Sequence, residues 1–123
     1  MAFVTDRKRV VGMGSAKTGT DHHWKMMVSS MALVVLIPLF IFTFGATLGS
    51  SYEEVVAYYS RPVPAAIAAL TFMVSFFHFR KGVQTLIEDY VHGTMRKILI
   101  IAMICLSYGA AAFGVIAILR LAL

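Results

Sequence analysis

Three stretches of this chain hold no Asp, Glu, Lys or Arg and are long enough to cross a lipid bilayer: 26–48, 62–79 and 98–119, of 23, 18 and 22 residues. A bilayer's hydrocarbon core is about 30 Å thick and a helix rises about 1.5 Å per residue, so roughly 20 apolar residues make one crossing. Backbone N–H and C=O groups find no water at that depth, which leaves the helix as the form an isolated stretch can take. With 59% hydrophobic and only 14% charged residues among 123, the expected fold is an all-α membrane protein with three transmembrane helices. Helices are expected at about 26–48, 62–90 and 97–121, after a polar N-terminal segment over 1–25.

The formal charge of +5 does not form the continuous patch a nucleic-acid binder needs; it follows the orientation rule for membrane proteins. Arg7, Lys8, Arg9, Lys17 and Lys25 precede the first span, and Arg80, Lys81, Arg96 and Lys97 surround the second connection, nine in all against Arg61 and Arg120 on the other side. This asymmetry predicts a cytoplasmic N-terminus and second connection, with the first connection and the C-terminus outside. The first 25 residues lack the apolar core of a secretory signal, so the first span is read as a retained anchor. Cys105 is the chain's single cysteine, has no partner for an internal disulfide, and is read as a small packing residue.

The connections carry modest signals. Gly12, Met13, Gly14 and Ser15 lack the strand and spacing of a phosphate loop. His22 and His23 are adjacent, so on a helix they point about 100° apart and do not converge on one ion, while Trp24 suits the headgroup level. Ser50 or Ser51 is placed to cap a short surface helix with Glu53 and Glu54 in its first turn. Pro62 suits the start of the second transmembrane helix, and His92 and Gly93 its end. In the third, Ser107, Gly109, Ala110, Ala111, Ala112 and Gly114 permit close helix packing. No repeat relates the three helices, so an inverted-repeat transporter has no support.

His78 is the only histidine inside an apolar stretch, and an ionisable ring at membrane depth marks a function by default. On the same helix Gly82 lies one turn on, a shelf beside the ring on which a flat macrocycle fits. Asp89, eleven residues along, returns to within about 20° of His78 and lies about 16 Å further along the axis. Glu88 and Tyr90 join it at the water boundary. Spacing alone leaves two readings open, a hydrogen bond to a neighbouring helix and a metal ligand. A haem iron held by two imidazoles needs a second membrane histidine; this chain has none, so a ligand role for His78 implies a mate from another chain.

The pattern His78, Gly82, Asp89, Tyr90, extended by Arg80, Gln84, Ile87, Glu88, Val91, His92 and Gly93, resembles the hydrophobic membrane anchor subunits of succinate dehydrogenase. The lead Gly14–Thr20 before His22-x-Trp24 looks like their alphaproteobacterial branch. The resemblance implies a bacterial inner-membrane complex in which a flavoprotein subunit and an iron–sulfur subunit sit on the cytoplasmic side. This chain and a second membrane anchor would share haem b and complete the ubiquinone site. Carried over, His78 is an axial ligand to the haem iron and Gly82 lies beside it. Tyr90 hydrogen-bonds a quinone carbonyl with support from Asp89, and the Arg80 guanidinium suits a haem propionate. The chain departs from the family where relatives place an arginine at the cytoplasmic start of the first span. Here stand Met26 and Met27, with only Lys25 nearby.

Two other readings remain at this point. A quinol:fumarate reductase anchor has similar parts and differs in quinone and direction. A non-redox structural or transport protein is the other, although no span carries an Asp, Glu, Lys or Arg at its centre, as a transporter's substrate path would.

Overall fold

The computed structural model describes residues 5–6 and 18–123. Arg7, Lys8, Arg9, Lys17 and the Gly12–Ser15 stretch lie outside the described residues. Four helices follow in order: α1 (Thr18–Gly45), α2 (Tyr52–Tyr59), α3 (Pro62–Tyr90) and α4 (Gly93–Ala122). Three of them, α1, α3 and α4, are long and apolar enough to cross a membrane.

The hydrophobic stretches mark depth better than they mark helix ends. α1 begins at Thr18, eight residues before the expected 26, because polar residues support a helix as well as apolar ones. Asp21 sits in its first turn, where the helix dipole favours a carboxylate, and pairs with Lys25 at 2.6 Å. The same helix stops at Gly45 instead of about 48. There the backbone tightens into i→i+3 bonds, Thr47 N–H to Phe44 O and Leu48 N–H to Gly45 O, and the Thr47 hydroxyl donates to Phe44 O at 2.7 Å. α4 likewise starts at Gly93 instead of about 97, so the basic turn at Arg96 and Lys97 is helical. Gly93 takes φ of +68°, a left-handed conformation that lets the chain reverse direction within Val91 and His92.

Of the two serines expected to cap α2, Ser51 does so. Its hydroxyl accepts from Glu54 N–H at 3.3 Å while Glu54 Oε2 accepts from Ser51 N–H at 2.8 Å, a capping box. α3 opens with Pro62, whose missing N–H costs nothing in a first turn.

α3 is the hub, packing against α1 on one side and α4 on the other, while α2 folds onto α3 and α4. Among the described residues the backbones of α1 and α4 do not come into packing contact. The core lies at the end of the bundle that α2 covers: Tyr59, Ala68 and Ile118 are buried there, with Phe40, Phe72 and Leu121 packed around them. Burial pushes the Tyr59 hydroxyl pKa up, the Tyr58 hydroxyl beside it adds to the effect, and a hydrogen bond with Thr43 works the other way. Beyond this core the helices present apolar side chains outward, Phe113 at 78% and Phe42 at 76% exposure among them. In water such a surface would aggregate; in lipid it is solvated.

Phe72 links all three long helices. It lies on α3, its ring meets Phe40 of α1 edge-on at 6.2 Å between centroids, and it covers Gly114 of α4. A Cβ at Gly114 would fall 2.6 Å from Phe72 Cδ1, so only glycine lets α4 approach this closely. Gly114→Ala should force the ring out of its packing and destabilise the protein by about 1–3 kcal/mol, read as a lower unfolding temperature in detergent. An unchanged temperature would mean that α4 does not lie against Phe72.

Candidate functional site

Residues on one stripe of α3 meet α1 in succession. His78 Nδ1 lies 2.9 Å from Ser29 Oγ, the space over Gly82 is filled by Met26, whose Cε would lie 3.9 Å from a Cβ there, and Thr85 Oγ1 lies 3.1 Å from His22 Nε2. The spacing i, i+4, i+7 is that of one helix face, and Asp89, at i+11, continues it.

His78 Nδ1 meets a buried partner. Ser29 is 5% exposed, and its hydroxyl oxygen lies 2.9 Å from Lys25 O, from Met26 O and from His78 Nδ1. The serine can donate to a carbonyl and accept from Nδ1–H, or donate to Nδ1, the two arrangements matching the two imidazole tautomers. In the first the lone pair is on Nε2, the form that binds a metal through that atom.

His78 lines a groove of about 410 Å³ whose opposite wall is Leu33, Val34, Ile37 and Pro38 of α1. Ser30 is common to this groove and to a second, of about 490 Å³, bounded by His22, His23, Met27 and Thr85. The two adjoin along α1, and both are open at the side. Among the described residues no three His, Cys, Asp or Glu side chains converge on a metal position. A metal at His78 would thus take one ligand from this chain.

The remaining site residues fall elsewhere. Gly82 does not offer an open shelf: without a side chain it lets α1 approach, and Met26 occupies the space. Arg80, two residues from His78 and so about 200° around the helix, faces α4. Its guanidinium carbon lies 5.1 Å from the Tyr108 ring and 5.6 Å from Phe77, and its buried Nε has no hydrogen-bond partner. Glu88 Oε1 accepts from Gln84 Nε2 at 2.9 Å. Asp89 is exposed and Tyr90, the last residue of α3, is 79% exposed; neither hydrogen-bonds through its side chain to another described residue. Both stand at the polar end of the bundle, where a partner surface can reach them.

Reading the sequence did not single out Ser29, Thr85 or the His22 contact. Hydroxyl residues are ordinary in membrane helices, where they bond their own backbone. The signal that would have flagged Thr85 is its i+7 relation to His78; for Ser29 only the pairing of α1 with α3 reveals the role.

Residues 1–117 match the family described as succinate dehydrogenase/fumarate reductase transmembrane subunit. The chain is 43% identical to the succinate dehydrogenase hydrophobic membrane anchor subunit of Paracoccus denitrificans, over 100% of this chain and 95% of that protein. It is 35% identical to the subunit of the same name from Rickettsia bellii over 72% of each chain, and 26% identical to that of Rickettsia conorii over 80% of each. No solved structure matches it. With nearly its whole length matched and three membrane-spanning helices in place, this chain belongs to the succinate dehydrogenase/fumarate reductase transmembrane subunit family.

Proposed function

We propose that this chain anchors the flavoprotein and iron–sulfur subunits of a succinate:ubiquinone oxidoreductase to a bacterial inner membrane, and that His78 is one axial ligand of a haem b shared with a second anchor subunit. One observation carries the reading. The single histidine within the apolar spans has Nδ1 within hydrogen-bond distance of Ser29 and borders an open groove.

When bound, haem b accepts and returns single electrons. The chain's contribution is to hold a neutral imidazole at fixed depth and to surround it with apolar side chains, which exclude water. Leu33, Val34 and Ile37 form such a wall across from His78. Arg80, turned toward Tyr108, is left out of the ligand set, and Gly82 acts by admitting α1 closely. The basic residues at Arg80, Lys81, Arg96 and Lys97 put the Asp89–Tyr90 end of α3 on the cytoplasmic side, where the dehydrogenase subunits dock.

At that end Tyr90 serves the quinone. Its exposed hydroxyl can donate to a quinone carbonyl oxygen, and the bond strengthens as negative charge develops there on reduction. Asp89, its neighbour and on the His78 stripe, can take a proton from the aqueous side and pass it toward the quinone as reduction demands it.

Tyr90→Phe should lower succinate:ubiquinone reductase activity by about 10- to 100-fold, the worth of a hydrogen bond to a charge-bearing oxygen. Succinate oxidation by an artificial dye should stay near wild type, and equal loss of both would remove Tyr90 from the quinone site. His78→Ala should abolish or broaden the low-spin b-type band in a reduced-minus-oxidised spectrum of the purified complex. An unchanged band would end the ligand assignment.

A further inference from the structure

We infer that Ser29 is the positioning residue of the haem ligand: its oxygen, 2.9 Å from His78 Nδ1, accepts the Nδ1 proton when Nε2 holds the iron, orients the ring and thereby tunes the iron's potential. This rests on the reading of His78 as a ligand.

A serine hydroxyl ordinarily rotates and can donate or accept, so by itself it would leave either tautomer of a facing imidazole available. Binding of iron through Nε2 removes that freedom: the proton then sits on Nδ1, 2.9 Å from Ser29 Oγ, and the serine accepts it while its own hydrogen turns to Lys25 O or Met26 O, each 2.9 Å away on α1 itself. Ser29 is 5% exposed, so this bond holds Nδ1, and with it the plane of the ring and the direction of Nε2, from α1.

The choice of a hydroxyl has a direction. Donation from Nδ1–H pushes electron density toward Nε2 and strengthens it as a ligand, more for ferric than for ferrous iron. A neutral hydroxyl does so less than a carboxylate would, because hydrogen bonds to an ionised acceptor are the stronger ones. Ser29 therefore leaves the haem with a higher potential than a carboxylate partner would give, and a lower one than an unsupported imidazole. Thr85 and His22 repeat the arrangement one helical turn outside the apolar span: the Thr85 hydroxyl donates to Lys81 O at 3.2 Å and its oxygen faces His22 Nε2 at 3.1 Å. Two such rungs keep α1 from sliding along α3, so the Ser29 oxygen stays at the depth of the ring.

The test uses the detergent-extracted complex with its partner subunits. In Ser29→Ala the haem midpoint potential should shift upward, by about 59 mV for each tenfold loss of ferric over ferrous affinity, with an altered low-spin signal in electron paramagnetic resonance. Ser29→Thr, which keeps an acceptor oxygen, should restore both. Thr71→Ala is the control, since Thr71 is also buried and donates to its own helix at 2.7 Å but does not touch His78; its potential should equal wild type. Should Ser29→Ala fail to assemble, Ser29→Cys keeps the size with a weak sulfur acceptor and must also shift the potential upward. A potential unmoved in Ser29→Ala or Ser29→Cys, while His78→Ala loses the b-type band, overturns the inference and leaves the ligand assignment standing. A band unmoved in His78→Ala overturns the assignment itself.

Discussion

The His78–Ser29 bond is the contact on which the site depends, and its strength comes from the solvent around it. Apolar burial does little to drive helices together in lipid, because acyl chains solvate leucine as well as a protein core does. What remains is polar satisfaction and close fit, and α3 uses one on each side. Toward α1 it offers the His78, Gly82, Thr85 stripe, two rungs between hydroxyl and imidazole flanking a glycine that admits Met26. Toward α4 it offers fit, with Phe72 against Gly114. Among the described residues the side-chain hydrogen bonds between the long helices lie on the α1 side.

The same physics decides what the sequence could reveal. Transmembrane spans were legible because burying a charge in hydrocarbon is expensive, and charge-free runs are therefore informative. Helix ends were less so. The polar segment before residue 26 gave no apolar signal for a helix, yet α1 begins at Thr18, where Asp21 and Lys25 support it. His78 stood out since imidazole is rare at that depth; Ser29 did not, since its hydroxyl also satisfies itself on its own helix. A helical wheel gives which residues share a face but not which helix that face meets. Gly82 looked open by the wheel and is covered by Met26, and Arg80, which the resemblance suited to a haem propionate, is turned to Tyr108. Asp89 and Tyr90 lie exposed at the end of α3.

At the start of the first span, where the resemblance leads one to expect an arginine, Met26 and Met27 stand. Met26 takes up the Gly82 contact, which an arginine stem could also line but whose guanidinium would need a partner at that depth. Lys25 does not replace the arginine's charge, because its ammonium is held by Asp21 at 2.6 Å. The side chain of Lys81, across on α3, forms no salt bridge with a described residue, and it lies within electrostatic reach of Asp21 and Lys25. A lysine offers a point charge on a flexible stem, where an arginine offers a planar fork that fixes geometry. A ligand in this groove would meet α3 through His78, the one α3 residue that lines it, and the ring of His78 lies against the Ser29 oxygen; in the proposed reading, orientation there falls to the imidazole and to Ser29 more than to a bidentate anchor.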